Sequence, residues 1–335
     1  MRYIRITILS FLFLLVSCNE KKEEHKNNNT FIKQDIKYFL FVGINDDKAG
    51  LYKYNFDQKT YEEYWINKKE EVIKLSYSEE MKNVFFITAG SFDQTGAFPN
   101  INKIKLYIVN PETGKSDFIE EIGSGLQVFS QWEGENNFRI TINTFDKTIV
   151  NYVYHRKILY NIFGKKLEDF TETYDITKQG YPLPSEEKIN YSSRGGKYFL
   201  INKTADSQTI YLKQDDANEL IFKTSHHIKQ IEWTEELLFI STIKHDILIN
   251  PDEKNGSSKL IVYSLKNKKI LMMWEGEGLK NYFITNEYLV FDNGFGRDSY
   301  INIYNTKTMQ LQAEIKFDNG CGLKNIPQNS DYGIQ

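Results

Sequence analysis

Two short patterns alternate along most of this chain, and that alternation constrains the fold more than any single residue does. The first is an aromatic-ended strand, a polar turn and a second strand. It runs over residues 51–61, 106–115, 260–269 and 301–309, with weaker copies at 150–158 and 210–220. Each copy reads as a β-hairpin, because Asn, Asp, Pro or Gly sits where a tight turn needs local hydrogen bonding or unusual backbone angles. The second pattern is a strand, a Ser- or Thr-containing turn, and four or five apolar residues. It runs over 75–87, 189–201, 231–240 and 282–291. No long helical periodicity interrupts either one, so the chain reads as all-β.

Joined together, the two patterns make a unit of four strands. Units fall near 36–66, 71–121, 125–176, 187–223, 228–274 and 278–315, a spacing of about 47 residues, close to the ~40–50 of propeller repeats. A four-stranded sheet with two apolar faces must cover both, and stacking copies in a ring does so. The apolar second strand belongs between neighbouring sheets, while the alternating third and fourth strands lie further out and partly in water. The pattern resembles the β-propeller superfamily, especially its TolB-like and WD40-like groups, over roughly residues 36–317. The resemblance implies a β-propeller of six four-stranded blades. Seven is the alternative, with residues 164–186 joining an extra unit. A pair of β-sandwiches would leave the repeat unexplained. The chain has no Gly-His…Trp-Asp pair and no Tyr-Trp-Thr-Asp box, and residues 192–197 match the Ser-Pro-Asp-Gly-Lys turn of TolB-like repeats only loosely. The first unit shows three strands (37–44, 51–56 and 61–66) and lacks an obvious innermost one, which residues 30–35 or the tail after Phe317 could supply, closing the ring.

The N-terminus carries an address. A basic start, Met1-Arg2-Tyr3-Ile4-Arg5, precedes an apolar run over 6–16 and then Leu15-Val16-Ser17-Cys18. The run is too short for the ~20 residues of a membrane span and lacks the polar period of a core helix, which leaves a secretory signal. Leu-Val-Ser-Cys resembles the lipobox of bacterial lipoproteins, which implies cleavage after Ser17 and lipidation of Cys18. The expected organisation is a signal peptide over 1–17, a lipidated cysteine with a polar tether over 18–35, and a propeller domain over 36–335. Two or more acyl chains hold a protein on a membrane stably, so Cys18 alone would suffice. Residues 19–30 carry no apolar side chain to offset ordering entropy, and the tether is expected to be disordered. Lys22-Glu23-Glu24 resembles the Lys-plus-acidic run that sends Bacteroidota lipoproteins to the surface. The expected location is the outer membrane, facing the periplasm or the cell exterior.

Charge and cysteine usage exclude some classes. The formal charge is −3, and loss of Arg2 and Arg5 with the signal makes it −5. A strongly basic polynucleotide binder is therefore not expected. With Cys18 lipidated, Cys321 stands alone, so no disulfide framework forms.

Catalytic constellations are near-misses. The histidines are His25, His155, His226, His227 and His245. Adjacent His226 and His227 on a strand point to opposite faces, so at most one would join a site with His245, Glu232 or Asp246. Closely spaced zinc ligands are missing, as is a Gly-x-Ser-x-Gly elbow. Asp46-Asp47 and Asp215-Asp216 read as hairpin turns. Residues 91–98 resemble a sialidase Asp box, but with one residue too many and in a single copy. Residues 250–256 offer oxygen ligands around Gly256 without the spacing of an EF-hand, and read as an exposed loop. Asp292-Asn293-Gly294-Phe295-Gly296 and Asp318-Asn319-Gly320-Cys321-Gly322 both follow a strand ending in Phe. Asp-Asn-Gly suits a tight turn with positive φ, and a turn role is sufficient for both; as functional loops they would sit at one rim of the propeller, near the channel mouth, where the long 88–102 and 244–258 loops could join them. No catalytic residue, cofactor or metal ligand is assigned. The expected function is a non-enzymatic binding or scaffold module with a protein or glycan partner at a propeller face. The alternatives are a hydrolase or lyase acting on glycan or peptide in the channel, and an immunity-type lipoprotein.

Overall fold

The computed structural model describes residues 36–323, apart from 79–80, 95–98, 111–112, 146–151, 176–187, 192–197, 204–206, 215–216, 244–257, 277–278, 280 and 295. The described residues form six antiparallel sheets. The first holds β1 (Tyr38–Asn45), β2 (Lys48–Asn55) and β3 (Thr60–Ile66). The second holds β4 (Glu71–Tyr77), β5 (Val84–Ala89), β6 (Ser91–Gln94), β7 (Pro99–Val109) and β8 (Ser116–Gly125). The third runs β9 (Gln127–Glu133), β10 (Asn137–Phe145), β11 (Tyr152–Asn161) and β12 (Lys166–Asp175). The fourth runs β13 (Lys188–Tyr191), β14 (Tyr198–Lys203), β15 (Gln208–Gln214) and β16 (Ala217–Thr224). The fifth runs β17 (His227–Trp233), β18 (Leu237–Ile243), β19 (Ser258–Ser264) and β20 (Lys269–Gly276). The sixth runs β21 (Tyr282–Ile284), β22 (Tyr288–Asn293), β23 (Tyr300–Asn305) and β24 (Leu311–Lys316).

The missing strand of the first sheet is β25 (Cys321–Gly322), which pairs antiparallel with β1 through Val42↔Gly322 and Gly43↔Cys321. The tail after Phe317 thus joins the end of the described chain to its beginning. The chain is a β-propeller. Residues 166–175 form β12, the outer strand of the third sheet, rather than part of an extra unit. The described residues of the 88–102 stretch are not open loop either: β6 pairs with β7 from Ser91↔Asn102 to Gln94↔Pro99.

Local chemistry explains the repeat. At the end of several third strands, one side chain caps the outer hairpin. Asn55 Oδ1 accepts from the Asp57 amide (2.9 Å), Asn110 from Thr113 (3.1 Å), Asn161 from Phe163 (3.0 Å) and Asn305 from Lys307 (3.0 Å), while Ser264 Oγ accepts from Asn267 (3.0 Å). Inner hairpins use hydroxyls instead: Ser78 accepts from Asn83, Thr234 from Leu237 and Thr285 from Tyr288. These bonds satisfy turn amides that the ladders leave over.

Sheets adhere through aromatic wedges. Trp65 on β3 meets Phe86 and Tyr107 of the second sheet. Trp274 on β20 meets Phe291 and Tyr304 of the sixth in the same way. Trp132 on β9 packs on Phe85 of the second sheet, and Trp233 on β17 packs on Phe199 of the fourth. Apolar clusters join the fourth sheet to the fifth, the fifth to the sixth, the sixth to the first, the first to the second and the second to the third. First strands of neighbouring sheets also meet: Lys74 Nζ donates to Val128 O (3.2 Å), and Gln230 Nε2 to Tyr282 O (3.3 Å). They form the inner side of the ring. The second strands are the most buried, β5 along its whole length, whereas outer strands such as β3 and β20 are largely exposed.

Candidate functional site

The connections at one end of the strands, where the sixth, first and second sheets meet, enclose a cavity of about 810 Å³, within the usual range for ligand pockets. Its wall comes from the β1–β2 turn, the β3–β4 connection, the start of β6, the end of β22 and the segment around β25. Both Asp-Asn-Gly segments reach it, as expected: Asp292, Asn293 and Gly294 from one, and Asn319, Gly320, Cys321 and Gly322 from the other. Gly294 and Gly320 have φ of 82° and 89°, the left-handed turn geometry that favours glycine.

Two acids of this wall, Asp292 and Glu70, are committed to the fold. Asp292 is 7% exposed. Its Oδ1 accepts from the Asn281 amide (2.8 Å), and its Oδ2 from Asn281 Nδ2 (3.1 Å) and the Leu323 amide (3.0 Å). The carboxylate therefore clamps the tail to the sixth sheet. Glu70, with a side chain 8% exposed, accepts from Lys105 Nζ (2.7 Å), Thr88 Oγ1 (2.7 Å) and Tyr107 OH (3.0 Å). Burial pushes its pKa up, but the bonds from Lys105, Thr88 and Tyr107 outweigh that and hold the carboxyl below its ordinary range. A depressed carboxyl stabilises the fold above the ordinary pKa, and this contribution is lost as pH falls through the folded value. In denaturation experiments from neutral to acid pH, the stability gap between wild type and Glu70→Gln is expected to close as pH falls. A gap that stays constant would contradict this role.

Cys321 is a poor nucleophile. Burial pushes its thiol up to about 12, and Sγ lies 3.3 Å from the Ile315 carbonyl. Polar wall residues are similarly engaged. Asn293 Oδ1 accepts from the Gly294 amide and its Nδ2 donates to Tyr300 OH, Asn67 Oδ1 accepts from the Lys69 amide, and Ser299 Oγ accepts from the Cys321 amide. At the opening, Phe92 and Ile44 remain 44% and 37% exposed, and Lys68 and Lys69 are exposed beside them.

The other sequence candidates do not converge. Asp46 and Asp47 have φ of 48° and 63° and make the two-residue β1–β2 turn. His155 lies on β11, its pKa lowered by burial and by Lys157. His227 Nδ1 is 2.8 Å from Gln208 Nε2, and the His226 amide donates to Thr224 Oγ1. Glu232 is on β17. Cys18, His25, His245, Asp246, Asp215, Asp216, residues 192–197 and residues 250–256 lie outside the described residues. Among the described residues, no three His, Cys, Asp or Glu side chains are grouped to hold a metal ion, and no helix is long and apolar enough to cross a membrane. Sequence reasoning missed Glu70 and Lys74. Lys74 sits on an inner strand, where burial pushes its amine down to about 8; a lysine flanked by Val72, Ile73 and Leu75 was the available signal.

No family model matches the chain, and no curated protein does. Solved structures similar to it include TolB from Acinetobacter baumannii, at 10% identity and a TM-score of 0.41, covering 85% of this chain and 66% of that one. A putative 6-phosphogluconolactonase from Bacteroides fragilis is 13% identical with a TM-score of 0.45, covering 86% and 98%. The β-propeller domain of the Trilobed protease from Pyrococcus furiosus is 11% identical with a TM-score of 0.36, covering 91% and 84%. Architecture of this kind leaves function to be read from the site itself.

Proposed function

We propose that this chain is a lipid-anchored, six-bladed β-propeller of the outer membrane that binds a partner at the mouth between the sixth, first and second sheets and performs no chemistry there. The observation that carries the reading is the division of labour in the wall. Asp292, Glu70 and Cys321 are consumed by ring closure and sheet anchoring, while the side chains of Phe92, Ile44, Lys68 and Lys69 face the opening. Exposed large apolar groups around a preformed cavity mark a contact surface. A catalytic site would instead present an activated base or nucleophile there. The lipobox, Leu15-Val16-Ser17-Cys18, supports the anchor.

The anchor has a direct test. Cys18→Ala is expected to abolish labelling by radioactive palmitate and move the protein out of the membrane fraction. A variant that stays membrane-bound, together with a wild type that takes up no label, would contradict it.

A further inference from the structure

We infer that the mouth takes an extended acidic peptide: its backbone adds to the free edge of β6, a bulky apolar side chain enters the cavity beside Phe92 and Ile44, and a carboxylate meets Lys68 and Lys69. The inference rests on the mouth being the binding face, as proposed above.

Three independent features converge. The first is an unfilled strand edge. β4 begins at Glu71, opposite Ala89, so the inner neighbour of this strand stops there. The chain runs on as β6, which pairs with β7 on one side; among the described residues no strand pairs with its other side. An open strand edge is a template for an added strand, with main-chain bonds giving affinity and side-chain pockets giving specificity. The second feature is the cavity itself, which begins at that edge and is bordered by Val42, Ile44, Val72, Ala89 and Phe92. The third is charge. Glu70 is matched by Lys105, whereas Lys68 and Lys69 stand side by side at the opening with no ion pair among the described residues. Asp47 and Glu71 also border the cavity, so the peptide's carboxylate belongs at the lysines and its uncharged part elsewhere. A glycan fits less well. Sugar hydroxyls need convergent amides and carboxylates, and Asn67, Asn281, Asn293 and Asp292 already serve the fold.

The test is a fluorescence-anisotropy titration of the full mature chain with a labelled peptide of alternating glutamate and leucine, and with its lysine–leucine counterpart. The acidic peptide is expected to bind saturably and the basic one not. Phe92→Ala and the double variant Lys68→Glu/Lys69→Glu are each expected to weaken binding by about tenfold or more. Leu311→Ala, at an exposed apolar residue on β24, should leave it unchanged. Absence of saturable binding, equal binding of both peptides, or insensitivity to the mouth variants would overturn the inference. If a photo-cross-linker at position 92 still captures a partner in intact cells while the acidic peptide does not bind, the peptide class falls and the binding face stands. If neither is seen, both fall.

Discussion

Replacing Asp292 with alanine is expected to cost about 3–5 kcal/mol of stability, because it takes a charged acceptor away from three N–H donors at a buried site, and to release the tail from the ring. The carboxylate receives three donors from two segments, Asn281 and Leu323. Without it, buried N–H groups lose their acceptor, at about 1–3 kcal/mol for each one left unsatisfied. Asp292→Asn keeps the volume but turns an amide toward at least one existing donor, so an intermediate loss is expected. Urea denaturation measures the loss. Amide exchange reports its location, because Ile44 N donates to Gly320 O (3.0 Å) beside the β1–β25 pairing. The Ile44 and Leu323 amides should exchange much faster in the variant. A change within about 0.5 kcal/mol, the range of an ordinary surface substitution, would show that Asp292 is not the clamp.

The second large effect lies just before the tail. Phe317 packs against Tyr52 (4.7 Å between ring centroids), Tyr61 (5.0 Å) and Phe41 (5.6 Å). Phe317→Ala leaves an aromatic-sized hole in the first sheet and should cost about 3–5 kcal/mol. A specific partner makes the prediction sharper. A Cβ at Gly43 would meet the Phe317 ring at 2.6 Å, so this glycine exists to let the ring approach β1. Gly43→Ala alone should destabilise by about 1–3 kcal/mol through overpacking, and much less in the Phe317→Ala background. A double-mutant cycle with a coupling of about 1–2 kcal/mol is expected; simple additivity would contradict the packing described.

What the sequence disclosed follows from range. Strand periodicity and turn chemistry act within ten residues, so the hairpins closed by Asn55, Asn110 and Asn305 and the inner turns at Thr234 and Thr285 were readable. The count of three strands in the first unit also showed that its innermost strand was missing, leaving two candidates, residues 30–35 and the tail, between which the pairing of Gly43 with Cys321 decides. The Asp-Asn-Gly segments were correctly expected to share a rim, but their chemistry was not visible. Asp292 looks like a turn residue until Leu323, far along the chain, donates to it. Glu70 stands in a run of four charges in the sequence, and its role emerges only where Lys105 and Tyr107 reach it from a different strand. β6 was mistaken for loop because Ser91-Phe92-Asp93-Gln94 has turn-like composition; its pairing with β7 overrides local preference.

The central claim is that the mouth around Phe92 is the working face. The most direct test places a photo-cross-linking phenylalanine analogue at position 92 and, separately, at Phe163, which is 80% exposed on a hairpin at the opposite strand ends. Irradiated intact cells should yield a discrete cross-linked partner from position 92 and none from position 163. A partner captured only from position 163, or from neither, would contradict the account.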